Sequence, residues 1–271
     1  MDEARRMEPA PTAQAAHDGS ESSHRHAGSE WAARQDGIAA AHAAEQSRLL
    51  RALPLDEYAR LLPRLAPARL RLRNVVVAPG EPIEDVYFPR TGVISIIADL
   101  QEGGAVEINT VGPEGFVGLA LLLGAESTPY RGIVQVEGDA WRMRGDAFRE
   151  LVEERPAVRR VLLRYVQYSL DLASQSVACN RLHTLDERCA RWLLMVHDRV
   201  DGDAFEITHE FLAQMLGVRR AGVSVAMGAL QGEGIVRYAR GHVTVLDRAR
   251  LEASSCACYA ITGASFDRLF G

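Results

Sequence analysis

The sequence has no lysine, and its 31 arginines are its only fixed positive side chains. Arginine therefore carries every strong basic contact, and its planar fork can grip carboxylates, phosphates and guanine edges. No histidine occurs between His42 and His183. That excludes a histidine-rich catalytic metal, of the kind some β-barrel enzymes hold, from the whole stretch. Cysteine is scarce: four in 271 residues do not make a disulfide framework. Long apolar runs are missing too, since the longest, Phe116 to Leu123 with its flanks, is too short to span a bilayer. No charged-then-apolar secretory pattern opens the chain, so the expected location is the cytoplasm, with no membrane partner. No nucleophile–base constellation stands out either, and neither an enzyme nor a catalytic residue is expected.

What is present suits a globular protein of two domains, with 47% hydrophobic and 25% charged residues. The net charge of −5 is spread unevenly. Residues 1–45 hold eight acids and four arginines, whereas residues 204–250 hold four acids and six arginines. A local excess of two positive charges, doubled in a dimer, is a modest basic footprint.

Residues 1–44 have almost no large apolar side chains and read as a disordered tail. His17, His24, His26 and His42 lie there and read as solvated rather than metal-binding. Gln46 to Leu65 has a helical apolar face punctuated by Pro54 and Pro63. From Leu70 to Met143 the period becomes two, with short strands at 75–77, 85–88, 92–98, 105–111, 132–136 and 140–143 separated by glycine turns. This predicts an antiparallel jelly roll, and residues 45–155 are assigned to a domain of that kind. Gly145 to Glu154 is a short helix, and Pro156 opens a long one. Val158, Val161, Tyr165, Tyr168, Leu172, Gln175 and Cys179 alternate three and four apart along it, so residues 156–182 read as a dimerisation helix.

Thr184 and Glu187 form a capping box that starts the next helix. Thr208 caps a helix with Leu212, Met215 and Leu216 on its apolar face, and Gly217 stops it. A second helix runs from about Arg219 to Gln231, followed by two short strands around Arg240-Gly241. This is a winged helix-turn-helix, assigned to residues 183–250. Arg219, Arg220 and Ser224 sit where a recognition helix meets base edges. Thr208, Arg237, Arg240 and His242 complete the expected DNA-contact set. Residues 251–271 read as a C-terminal helical tail, with Cys256 and Cys258 as packed thiols, and no metal site is predicted. The fold class is α+β: jelly roll, long helix, winged helix.

This order resembles the Crp/Fnr superfamily of bacterial transcription regulators over roughly Leu49 to Asp247. The residues that carry the resemblance are Ala78-Pro79-Gly80-Glu81, Val86-Tyr87-Phe88 with Gly92-Val93-Ile94-Ser95, Gly115-Phe116-Val117-Gly118, and Ile207 to Val223. The resemblance implies a homodimer that binds a two-fold related DNA site and contacts RNA polymerase, with Arg220 as the base-reading arginine. It also implies an effector pocket at Gly115, Phe116, Val117, Gly118 and Arg131. The cyclic-nucleotide pattern is broken: Leu119 stands where the family has a ribose-binding glutamate, and Arg131 is offset by about one position from the phosphate grip. These departures argue against cyclic AMP. The lack of cysteine before Cys179 argues against an iron–sulfur cluster, and the lack of a barrel histidine argues against haem. No cofactor is expected, and the effector is an unknown small molecule. The other reading is a ligand-sensing module that acts on a protein partner through its winged helix.

Overall fold

The computed structural model describes residues 36–100 and 104–270. Most of the expected disordered tail, with His17, His24 and His26, lies outside them. Residues 36–43 of that tail are instead a helix, α1, consistent with the high helix propensity of its alanines. It belongs to a unit comprising residues 1–44, and Glu45–Gly271 form a second.

The second unit starts with α2 (Arg48–Arg51) and α3 (Leu55–Leu61), divided at Pro54 as the sequence predicts. Seven strands follow: β1 (Ala66–Leu70), β2 (Val75–Val77), β3 (Asp85–Pro89), β4 (Val93–Asp99), β5 (Ala105–Val111), β6 (Arg131–Val136) and β7 (Gly138–Arg144). They form two antiparallel sheets, ordered β1-β7-β3 and β2-β6-β4-β5. The short helix α4 (Leu119–Leu122) lies within the long apolar run. Stacked and tilted rings tie the sheets to the helices beyond them. Phe88 meets Phe116 at 5.7 Å, Phe116 meets Phe148 at 5.6 Å, and Phe116 meets Tyr165 at 5.3 Å. Phe148 lies on α5 (Gly145–Glu154) and Tyr165 on α6 (Pro156–Leu182).

α6 has 27 residues and is about 40 Å long. Pro156 at its first turn lacks only an N–H that the helix would leave unpaired. The predicted dimer seam does not face outward. Val158, Val161, Tyr165, Tyr168, Leu172 and Cys179 are buried within the chain itself, and Gln175 bonds to Cys258 of the C-terminal segment. A second seam two residues back in register, Leu163, Val166, Leu170, Ala173 and Val177, also alternates three and four apart. Its Leu163, Leu170 and Val177 are exposed at 41%, 57% and 71%. The inner seam carries the bulkier rings because it must fill the space against the β-roll and the C-terminal helix.

His183 ends α6, and Thr184 caps α7 (Leu185–His197) through the predicted capping box. β8 (Ala204–Glu206), α8 (His209–Leu216), α9 (Arg220–Gly232), β9 (Val236–Ala239) and β10 (His242–Val245) make the winged helix, with the wing ordered β8-β10-β9. The C-terminal segment is two helices, α10 (Arg248–Ala253) and α11 (Cys258–Phe270). α11 packs on α6, with Phe266 edge-on to Tyr168 at 5.3 Å. One hydrophobic core joins β-roll and winged helix, since Val93, Ile97 and Ile133 cluster with Leu193, Phe205, Leu212 and Val223. Among the described residues no helix is long and apolar enough to cross a membrane.

Candidate DNA interface and effector cavity

The helix-turn-helix forms as its residues predict. Thr208 Oγ1 accepts the Phe211 N–H at 3.1 Å. Gly217 adopts φ 64°, a left-handed conformation that favours glycine and lets the chain leave α8 sharply. Ala213 is buried between the two helices, where a larger side chain would push them apart. Arg219 is then the N-cap of α9 and Arg220 its first residue, both exposed. Ser224 lies one turn on, exposed, with its hydroxyl donating to the Arg220 carbonyl at 3.1 Å and 3.0 Å from His209 Nδ1.

The wing turns at Arg240 and Gly241, with φ 51° and 84°, the paired positive angles of a tight hairpin. Arg237, Arg240 and His242 lie along it, the two arginines exposed. Arg248 and Arg250 are engaged with Asp198, Glu252 and Glu233. Arg219, Arg220, Arg237 and Arg240 have no carboxylate partner among the described residues, so their charge faces outward. Thr208 and Arg219 also border a groove shared with Arg73 and Asp99 of the β-roll.

The link between wing and α8 was not singled out from the sequence. His209 stacks on Tyr238 at 4.2 Å and joins the two. Burial, with Arg220 nearby, lowers the His209 pKa, so the ring favours the neutral form. Val225 is an apolar side chain left 72% exposed on α9.

A largely apolar cavity of about 620 Å³ lies between β4, β5 and α6. Phe116, Val117, Gly118 and Leu119 line it. Gly115 does not: a Cβ there would collide with the Tyr165 ring, so its role is to let α6 approach. Arg131 does not line it either. Its guanidinium forms a two-point bond to Asp99 at 2.7 and 3.0 Å, so the expected anion contact is already used. No arginine, lysine or histidine is among the lining residues; the polar ones are Glu107, Asn109, Thr128, Tyr130, Ser176 and Asn180. Burial raises the Glu107 pKa, while bonds from Ser95, Thr110 and Trp192 pull the other way.

Besides the shared core, two polar contacts tie the sensor to the DNA-binding half. Trp192 Nε1 of α7 donates to Glu107 Oε1 at 3.0 Å. Arg199, just beyond α7, donates to Glu114 Oε1 from Nε at 2.9 Å and Nη2 at 2.7 Å, and both side chains are buried. Burial penalises the Arg199 charge, but Glu114, Tyr168 and Asp198 outweigh that and hold its pKa above the usual arginine range.

A β-roll with a ligand-sized cavity, a long helix and a basic winged helix together define a DNA-binding regulator with a sensor domain. Comparison with known proteins agrees. Residues 68–155 match the cyclic nucleotide-binding domain family and residues 187–254 the Crp-like helix-turn-helix domain family. A CRP-like cAMP-activated global transcriptional regulator of Mycobacterium tuberculosis is 25% identical over 200 residues, covering 71% of this chain and 89% of that protein. FixK2 of Bradyrhizobium japonicum superposes with TM-score 0.61 at 19% identity, covering 71% of this chain and 98% of its own. A CRP-family transcriptional regulator of Thermus thermophilus gives TM-score 0.59 at 21% identity, with 69% and 96% covered. The chain belongs to the Crp/Fnr family of transcriptional regulators.

Proposed function

We propose that the chain acts as a homodimer on a two-fold related operator and works through RNA polymerase. We propose further that its effector is a largely apolar small molecule and not cyclic AMP. The observation that carries the effector reading is the lining of the cavity. A cyclic phosphate taken out of water needs a paired cation, and no basic side chain lines this site. Leu119, which the resemblance puts at the ribose-binding position, lines the cavity, and Glu107 adds an acid. The volume of about 620 Å³ is in the range of drug-sized ligand sites. Leu170, Ala173 and Val177 line the cavity and also belong to the outward seam of α6. A ligand there touches the residues that a partner helix would cover, so it can bias how two protomers present their recognition helices. Calorimetric titration of the dimer with cyclic AMP is expected to give no binding at millimolar nucleotide. A saturable one-per-protomer isotherm at micromolar concentrations would refute the effector reading.

On DNA, α9 enters the major groove with Arg220 at a base edge and Arg219, Ser224 and Val225 beside it. Thr208, Arg237, Arg240 and His242 hold the phosphates. Capture of bound genomic DNA is expected to yield a palindrome with half-sites about 34–36 Å apart. Arg220→Ala is expected to cost about 1–3 kcal/mol and to relax preference at one position of each half-site. Arg240→Ala is expected to weaken all sequences alike and to lower the salt slope by about 1. Affinities that ignore salt, with both variants unchanged, would favour a protein partner for the winged helix instead.

A further inference from the structure

The junction of α6, α7 and α11 holds a group of donors that the regulator reading does not use. Cys179 lies in the last turn of α6, and His183 is the extended residue that caps it. Cys256 lies just before α11 and Cys258 is its first residue, both beyond the whole winged helix. The fold brings all four together. Cys179 Sγ is 3.5 Å from Cys256 Sγ, and Cys258 Sγ is 3.5 Å from His183 Nδ1. The four donor atoms lie within 4.8 Å of one another.

Ordinary core packing does not account for this. Cys189, the fourth cysteine, behaves as a small apolar residue among α7, α8 and α9, with the Met227 sulfur at 3.7 Å. The other three thiols form a cluster of their own, apart from the aliphatic core, with an imidazole at its edge. A disulfide would use two of these groups and leave Cys258 and His183 facing each other unexplained. A tetrahedron with metal–sulfur bonds of about 2.3 Å has edges of about 3.8 Å, close to the separations seen here. Donors packed this tightly surround one ion and not a multi-iron cluster, which holds its ligands farther apart.

We propose that Cys179, His183, Cys256 and Cys258 bind one zinc-class divalent cation in a closed, mononuclear, tetrahedral site. Three thiolates and one neutral imidazole are a donor set that soft-to-borderline ions of this class prefer. Each thiol gives up its proton to solvent on binding. The resulting single negative charge lies near Arg191, a buried guanidinium on α7. Gln175 Nε2 donates to Cys258 Sγ at 3.0 Å, an outer bond that orients this ligand. Four protein donors leave no open position, so the ion is structural. It fastens the chain just before the winged helix to the chain just after it, across the short break between α6 and α7 at His183 and Thr184.

The test is cobalt uptake by the full chain, purified reduced and stripped with chelator. Wild type and Cys189→Ser are expected to bind one Co2+ per chain, with tetrahedral d–d absorption and thiolate-to-metal charge transfer. Cys256→Ser and His183→Ala are expected to lose the charge-transfer band or to bind at least about tenfold more weakly. His183→Cys is expected to retain uptake with a stronger charge-transfer band, which keeps the test valid if a serine variant misfolds. Wild type that takes up no cobalt while all four thiols remain titratable would overturn the proposal. So would uptake unaffected by Cys256→Ser, or a Cys179–Cys256 disulfide as the sole chemistry of the cluster.

Discussion

Replacing Leu170 and Val177 together by glutamate is expected to leave the protein monomeric and to lower operator affinity by about 10³-fold or more, toward the non-specific level. Both residues are exposed on α6, at 57% and 71%, and they lie seven apart on the outward seam. A symmetric pairing of two such helices would bring four carboxylates into an apolar strip. Ionised groups there lose water without gaining partners, and they repel each other. Analytical ultracentrifugation gives the oligomeric state, and DNA titration gives the affinity. Leu172→Ala, on the inner seam, serves as the contrast: it is expected to remain dimeric while losing about 2–5 kcal/mol of stability. A double glutamate variant that still sediments as a dimer would place the interface elsewhere.

Arg199→Leu is expected to destabilise the chain by about 3–5 kcal/mol, the largest single effect on folding. The guanidinium and the Glu114 carboxylate have side-chain exposures of 7% and 5%, and Gly112 N–H adds a third donor to the same oxygen at 3.2 Å. Removing the cation leaves a carboxylate buried in a low-dielectric site with one backbone donor. The double variant Glu114→Gln, Arg199→Leu removes both charges and is expected to recover most of the loss. Urea unfolding at neutral pH reads both effects. A cost below about 1 kcal/mol for the single variant would mean that water reaches the pair and that it behaves as a surface bridge. The pair also joins the sensor loop to the end of α7, so the single variant is expected to loosen the winged helix from the β-roll.

The local signals in the sequence translate directly into structure. Thr184 and Glu187, Thr208, Gly217 and the Arg240-Gly241 turn act through neighbours a few residues away, and each forms as predicted. Strands with strong alternation were legible in the same way. β1 was not, because Pro67 and Arg69 dilute its pattern, and β8 was not, because Phe205 is its only buried residue. α6 shows a deeper limit. It carries two seams of identical spacing, and periodicity cannot say which one meets the chain's own β-roll. The bulk of Tyr165 and Tyr168 was the usable clue, since large rings fill a core more readily than a symmetric helix pair. Pairings between distant positions were invisible: Arg131 with Asp99, Arg199 with Glu114, and Cys179 with Cys256, which are 77 residues apart. Those depend on topology, and spacing along the chain carries no trace of them.

Trp192 donates its indole N–H to Glu107 on the cavity wall and is itself only 5% exposed. The other described tryptophan, Trp141, is bonded to the buried Glu45 on the opposite sheet, away from the cavity. The protein thus contains its own optical reporter. Occupancy of the cavity alters the field and the hydrogen bond at Trp192, and the emission colour and quantum yield of that indole follow. A library of unlabelled small molecules can be screened by fluorescence alone, with Trp192→Phe, which keeps Trp31 and Trp141, as the control that separates true occupants from inner-filter artefacts.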